Sequence, residues 1–393
     1  MNEILTLSQS LESDVTKFLQ DIVRIPSPSG REKGVIDRIQ KEMEVIGYDE
    51  IKVDGLGNLL GRIGYGSRML VIDGHCDVVD VGNPDLWTTD PFGAEIKDGM
   101  IYGRGSCDQK GGVACAVYAA KILKEVGVPN DITLWVVASV IEEDCEGLAW
   151  KYLIEEEKLK PDAVLITEPT NLNIYRGHRG RLEIKVKTDG VSCHGSAPER
   201  GVNAIYKMAP IIQEIEQLHS KLRDDPFLGK GSVTIAEVKS TSPSLCAVSD
   251  SCTVHLDRRL TAGETIESSL AEIRKLPSFE KNGAKVWVPE YKAAGYTGKV
   301  YPMQSYFPTW VLEEDHSLLK TAVDSYTSLF DAHPKVDKWT FSTNGVGIMG
   351  LYQIPTVGFG PGNEVYAHSP DERIPIDHLT KAMAFYAEFV RNF

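Results

Sequence analysis

No run of about 18 consecutive apolar residues occurs anywhere in this 393-residue chain, so no segment is suited to cross a membrane as a helix. Positive charge is in deficit: 42 Lys and Arg stand against 56 Asp and Glu, a formal net charge of −14. Nucleic acids and anionic membrane surfaces are bound by basic faces, so neither is an expected partner. Cysteine is sparse. The seven (Cys76, Cys107, Cys115, Cys145, Cys193, Cys246 and Cys252) are odd in number and form no CxxC pair. That argues against a zinc knuckle and a secreted disulfide framework, and for reduced thiols in a cytoplasm. The opening MNEILTLSQSLESDV has no basic stretch followed by an apolar core, so no secretory signal is expected. Compositional bias is missing too: 42% hydrophobic and 25% charged residues exclude a disordered or collagen-like chain. At about 150 residues per domain, the length predicts two or three domains.

What is present is an alternation of helical and strand patterns. Val15, Phe18, Leu19 and Ile22 fall on one helical stripe, which Ser13 can cap and Pro26 and Pro28 end. Val35, Ile36, Ile39, Met43 and Ile46 mark a second helix, stopped by Gly47. Short apolar runs at 58–63, 69–72, 132–139, 163–167 and 356–359 read as buried central strands, with a small-residue helix over 113–126. Strands alternating with helices predict an α/β layered sheet. From Gly180 the pattern changes: Leu182, Ile184 and Val186 face one way, and Glu183, Lys185 and Lys187 the other. The order β-α-β-β-α-β that follows, to a strand near Val286, is ferredoxin-like. The α/β style resumes after about Gly298. The expected organisation is therefore one unit, 1–179 and 297–393, split by an inserted α+β unit, 180–296.

Several segments offer metal-type ligands, most of them just past a predicted strand. Asp73-Gly74-His75-Cys76-Asp77 follows the run at 69–72, and Ile141-Glu142-Glu143-Asp144 follows 132–139. Thr167-Glu168-Pro169 ends 163–167, and Ala367-His368-Ser369-Pro370-Asp371-Glu372 comes soon after 356–359. A Gly-rich loop around Asp108, from Gly103 to Gly112, opens a helix. Open α/β sheets build sites beyond the carboxyl ends of their strands, so these segments converge on one edge. Two His with several carboxylates suit Zn²⁺ or a similar divalent ion. Singly, each piece is weak. A lone His-x-Asp is usually a solvated loop, and a Glu-Glu pair is usually a wet helix face. The Gly-rich loop lacks both the GxGxxG and the GxxxxGK[ST] spacing of a phosphate cradle. Their order and shared position carry the argument.

In that order, GHCDVV, YGRGSCDQKGG, IEED, ITEPT and CHGSAPERGVNAI resemble the M20 family of zinc amidohydrolases and peptidases, over nearly the whole chain. ITEPTNLNIYRGHRGR is also similar to the selenium-metabolism-linked hydrolase branch. The resemblance implies a zinc-peptidase-like catalytic domain with a mixed central sheet, plus an inserted ferredoxin-like lid and dimerisation domain. It implies a two-metal site: His75 and Glu168 on one ion, Glu143 and His368 on the other, and Asp108 bridging. Zn²⁺ is the ion implied first, with Co²⁺ and Mn²⁺ also suited to such ligands. Glu142 would be the general base acting on a metal-bridging water. Asp77 would orient His75. His194, supplied by the partner subunit of a homodimer, would donate to the developing oxyanion. Asn203 would bind substrate, although its position also fits a helix N-cap. Arg259, rather than Arg258, would grip a substrate carboxylate in a bidentate fork. Arg104 and Lys110 are read as structural, and the peptide after Asp108 is expected to be unusual. His178, His219, His255, His316, His333 and His378 are read as core or surface. Cys76, Cys107, Cys145 and Cys193, all near proposed site residues, are read as packing residues.

One segment departs from the family pattern. Many relatives carry a second carboxylate-binding Arg in a sequence like Gly-Thr-Asp-Ala-Arg. Here Phe341-Ser342-Thr343-Asn344-Gly345-Val346 places Val346 at the Arg position. Asn344, with Thr343, is the expected neutral substitute for contacting substrate. Glu rather than Asp at Glu168 accompanies deacylases and carboxypeptidases rather than aminopeptidases. The expected activity is hydrolysis of an amide bond in a small N-acyl or N-carbamoyl amino acid or dipeptide. The alternatives are an aminopeptidase or dipeptidase of the same clan, and a non-catalytic binding protein on the same fold.

Overall fold

Residues 2–393 are described in the computed structural model of the chain. The continuous apolar runs form the middle of a nine-stranded mixed sheet. Ile132–Ser139, Arg68–His75, Ala163–Ile166 and Thr356–Gly358 lie side by side and parallel. Glu50–Val53 and Leu59–Ile63 extend one side antiparallel. Ile174–His178, Trp310–Val311 and Val336–Trp339 complete the other. Central parallel strands are covered on both faces, which is why they read as unbroken Val, Ile and Leu rather than as alternation. Leu70, Val71, Ile72, Val136 and Leu165 are all buried, each contributing about 1.5–3 kcal/mol by removal from water. The helices Gly111–Val126 and Ile376–Asn392 pack against one another in the same core.

The register decides where the site is. His75 pairs with Ser139, Asp73 with Ile166, and Ile166 with Gly358. The carboxyl ends of all four parallel strands are thereby level, and the segments that follow them leave from one edge.

The amino-terminal region differs from expectation. Ser13 caps nothing; a helix over Glu12–Val23 starts after Leu11 without a side-chain cap. An additional helix, Glu3–Ser10, precedes it, capped by Asn2, whose Oδ1 accepts from the Ile4 amide at 2.9 Å. The next helix, Lys33–Ile46, ends as expected on Gly47 at φ 81°.

The smaller sheet has the order Ser232–Thr241, Ser251–Leu260, Gly180–Asp189, Lys285–Trp287, all antiparallel. With the helices Ala204–His219 and Ile266–Arg274, this is the ferredoxin-like arrangement the β-α-β-β-α-β order implies. Leu182, Ile184 and Val186 point into its own core with Met208, Ile211, Ile215, Val254 and Leu256. A short strand from farther along the chain, Tyr306–Phe307, also joins this sheet through Leu182 and Arg181. Arg179 alone separates the strand Ile174–His178 of the large sheet from Gly180–Asp189 of the small one. The return passage lies directly beside it, since Phe307 pairs with Arg181 and Trp310 with His178. Among the described residues, no helix is long and apolar enough to cross a membrane.

Candidate active site and metal centre

The level strand ends bring the predicted ligands together. His75 closes its strand, Glu168 follows the next one by two residues, and Glu142 and Glu143 occupy the turn after Ile132–Ser139. Asp108 lies in the loop that opens the helix Gly111–Val126, just before the cis peptide bond Asp108–Gln109. Its two carboxylate oxygens face two different imidazoles. Oδ1 is 3.2 Å from His75 Nε2, and Oδ2 is 3.3 Å from His368 Nε2. Glu168 Oε1 stands 3.5 Å from His75 Nε2, and Glu143 Oε2 stands 3.0 Å from His368 Nε2. Glu142 Oε2 is 3.7 Å from His75 Nε2. His75 Nδ1–H donates to the Asp77 carbonyl at 2.9 Å, which in the neutral ring leaves the Nε2 lone pair facing the carboxylates.

Residues outside this set hold it in place. The Asp77 carbonyl accepts from His75 Nδ1 at 2.9 Å, and the Asp77 carboxylate, expected to orient that ring, stands 3.5 Å from the same nitrogen. The carboxylate mainly accepts from the Glu142 amide at 3.1 Å, the Glu143 amide at 3.0 Å and Ser29 Oγ at 2.6 Å. Ile141, immediately before the glutamates, sits at φ 62°, a conformation costly for a β-branched residue. Glu32 secures that turn by accepting from the Ile141 amide at 3.1 Å. Glu372 does the same for the Asp108 loop. One of its oxygens accepts from the amides of Gly105, Cys107 and Asp108 at 2.9–3.0 Å, and the other pairs with buried Arg104 at 2.5 Å. Buried Lys110 donates to the carbonyls of Ile22 and Ile25, as befits a structural residue.

The electrostatics are those of a cation site. Burial, then the charge of Asp108, pushes Glu143 up to about 7. Burial also drives Glu142 and Glu168 well above the usual carboxylate range. Burial works against the charge on Asp108, yet bonds from His368 and His75 hold it well below the usual range. Bonds to Asp108 and Glu143 push His368 up to about 10. Among the described residues, only imidazoles form ion pairs with these carboxylates. Glu142 Oε1, Glu143 Oε1 and Glu168 Oε2 are buried without any partner. Leaving buried anionic oxygens unpaired is costly. His, Asp and Glu atoms within 4.8 Å of one another, with orphaned oxygens among them, fit bound divalent cations.

A cavity of about 350 Å³ opens onto the cluster, with Arg259, Arg181, Glu146, Ser342 and Glu364 among its walls. Arg259 faces it, held by Asp257 at 2.9 Å. Arg258 on the same strand is buried against Glu264 and Glu272. Sequence reasoning missed Arg181, which pairs with Glu146 and Glu183; Ser342 Oγ also donates to Glu146 at 2.8 Å. Arg181 stands directly across from Arg259 in the strand register, a relation that only the folded pairing reveals.

Asn344 requires a correction. It is buried and does not line the cavity; Nδ2 donates to Asp73 and to Ser139, both at 3.0 Å, and Oδ1 accepts from the Gly147 amide at 3.0 Å. Both of its donors are spent on the scaffold, so none is left for a substrate. Thr343 is likewise buried, 3.1 Å from His178. His194 and Asn203 share a second cavity that has no lining residue in common with the first. Asn203 Oδ1 accepts from the Ile205 amide at 2.9 Å, so its carbonyl serves as the N-cap of Ala204–His219.

A sequence profile of peptidase family M20/M25/M40 matches residues 71–392. The uncharacterized protein YgeY of Escherichia coli is 51% identical over 384 residues, covering 98% of this chain and 95% of that protein. A probable succinyl-diaminopimelate desuccinylase of Staphylococcus aureus is 26% identical over 404 residues, covering 96% of this chain and 97% of that protein. Aminopeptidase PepT from Bacillus cereus has a similar crystal structure, with a TM-score of 0.72 and 20% identity over 97% of this chain and 98% of that one. At that identity the likeness speaks for the fold alone.

Proposed function

Because the chain belongs to peptidase family M20/M25/M40, and is therefore a metal-dependent hydrolase, we propose that it hydrolyses the amide bond of a small N-acyl or N-carbamoyl amino acid or dipeptide. The desuccinylase relative supports a deacylase reading. The observation that carries the proposal is Asp108, whose two oxygens face His75 and His368 separately.

In this reading His75 and Glu168 would hold one ion and Glu143 and His368 the other, with Asp108 a ligand to both. Zn²⁺ suits these donors best, with Co²⁺ or Mn²⁺ as substitutes. When bound, such a pair supplies Lewis acidity to the carbonyl and to water. Glu142, buried and with Oε1 free, takes the proton of the attacking water and delivers it to the leaving amine. Asp77 fixes the backbone of Glu142 and Glu143 so that one side chain is a ligand and its neighbour a base. Arg259 grips the substrate carboxylate.

His194 of the partner subunit donates to the oxyanion, with Asn203 beside it. The separation of these two residues from the cluster within one chain supports a homodimer. We assign residues 1–179 and 297–393 to the catalytic unit and 180–296 to the lid and dimerisation unit, in a cytoplasmic enzyme. The test is release of free amine from a panel of N-acyl, N-carbamoyl and dipeptide substrates by metal-loaded protein, with Glu142→Ala as the control. Hydrolysis of none of them rejects the proposal.

A further inference from the structure

His194 sits on an exposed turn of the smaller unit, and its main chain is firmly held. It bridges Ala247 antiparallel, Gly195 donates to the Cys246 carbonyl at 2.7 Å, and Ala197 donates to the His194 carbonyl at 2.9 Å. That turn brings Ser196 back onto the ring. The Ser196 amide donates to His194 Nδ1 at 3.1 Å, and Ser196 Oγ lies 2.7 Å from the same nitrogen. A backbone N–H gives a hydrogen bond and never accepts one, so Nδ1 must present its lone pair. In the neutral ring the proton then resides on Nε2. Both Ser196 contacts are to Nδ1, and no described residue forms a hydrogen bond with Nε2; the ring shares a cavity of about 660 Å³ with Asn203 and Tyr206.

We propose that Ser196 is a positioning residue that fixes His194 as an Nε2–H donor. The inference rests on the hydrolysis proposed above and gives His194 its chemistry there. A neutral ring held this way gives a hydrogen bond through Nε2. It has no lone pair at that nitrogen with which to take up a proton or to bind an ion. An oxyanion needs a donor, so the tautomer matches the task. The amide and the hydroxyl of Ser196 converge on one acceptor. The hydroxyl is the half that substitution can remove.

The experiment is nitrogen-15 NMR of the intact protein labelled at histidine, in mildly alkaline buffer, with His194→Ala identifying the resonances. The expected result is an unprotonated Nδ1 and a protonated Nε2. Ser196→Ala keeps the amide but loses one of the two donors, so it should raise the minor Nδ1–H population without making it dominant, and lower kcat about three- to tenfold at unchanged KM, the scale of one neutral hydrogen bond. Ser196→Thr, which keeps the hydroxyl, should restore both. An Nδ1–H tautomer or a mixture in the unsubstituted protein overturns the inference. So does a Ser196→Ala protein with unaltered tautomer and kcat. The NMR result needs no substrate, so a failure of the proposed hydrolysis remains distinguishable from a failure of this assignment.

Discussion

Arg181 and Glu146 join the smaller sheet to the turn that carries Glu142 and Glu143. The Arg181 Nε donates to Glu146 Oε1 at 3.1 Å, and Nη2 pairs with the other oxygen. Arg181 opens the smaller sheet, while Glu146 stands three residues beyond Glu143. Charged hydrogen bonds of this kind are worth about 1.5–3 kcal/mol, and removing one partner strands the other. Glu146→Gln and Arg181→Gln are each expected to lower urea-unfolding stability by about that amount. The double variant should lose less than the sum of the two, because neither member of the pair is then left charged opposite a neutral partner. Strict additivity in the cycle would mean that the pair carries no coupling.

Glu142→Ala is expected to cut kcat by a factor of about 10²–10⁴ on any substrate the panel identifies. Metal content, measured by elemental analysis, should remain that of the unsubstituted enzyme, because Glu142 is assigned as the base and not as a ligand. Loss of metal in parallel with activity would instead make it a ligand.

Asp77→Asn tests the scaffold under the glutamates. The substitution replaces one carboxylate oxygen by an amide donor, which then faces the amide of Glu142 or of Glu143, where only an acceptor serves. The Asp77 carbonyl still holds His75. Metal affinity should fall by about 10–100-fold, the usual cost of losing an outer carboxylate. Competition with a fluorescent chelator measures it, and an unchanged affinity would show that the turn holds without Asp77.

Metal loading should release protons. In the metal-free protein Glu143 titrates at about 7 and His368 at about 10, and both must lose their protons to act as ligands. The Glu143 contribution grows as pH falls towards and below 7, because more of the metal-free protein then carries that proton. The His368 contribution is present throughout that range. Calorimetric titration with Zn²⁺ in buffers of different ionisation enthalpy counts the protons, and a binding heat independent of buffer would contradict the assigned ligands.

His178 predicts a pH dependence away from the metals. Burial first, then the charge of Arg259, lowers it from 6.5 to about 4. Between those values the unfolded chain binds the proton and the folded one does not, so stability rises with pH across that window. Acidification from 6.5 to 4 should remove on the order of 3 kcal/mol through this residue. Denaturant unfolding of His178→Gln against the unsubstituted protein should show a shallower slope over that window. Equal slopes would reject the linkage.

The features legible in the sequence are those encoded by neighbours along the chain. Uninterrupted apolar runs mark the four central strands; His75 closes one of them, and Glu143 and Glu168 lie just beyond two others. The alternation from Gly180 reported a sheet with one wet face. What escaped depends on residues far apart. Glu372 holds the Asp108 amide across 264 positions, and Ser342 reaches Glu146 across 196. Nothing local distinguishes such residues from solvated polar ones. Asn344 misled for the same reason: its position beside a family substrate segment was visible, but Asp73, Ser139 and Gly147, which use its amide, were not. The strand Tyr306–Phe307 is two residues long, too short to show a period.

The single residue between the two sheets, Arg179, is bounded by fixed neighbours. On one side His178 is clamped, accepting from Trp310 Nε1 at 2.7 Å and the Thr343 amide at 3.1 Å. On the other, Gly180 is pressed so closely that an added Cβ would lie 2.4 Å from the Phe307 carbonyl oxygen. With the return passage alongside, both crossings share one axis. The strand from Gly180 to Asp189 is a lever of about 33 Å at ~3.3 Å per residue. By that geometry, a few degrees of torsion at Arg179 would become a displacement of ångströms at the far tip, while Arg181, two residues along, would move by a few tenths of an ångström relative to Glu146.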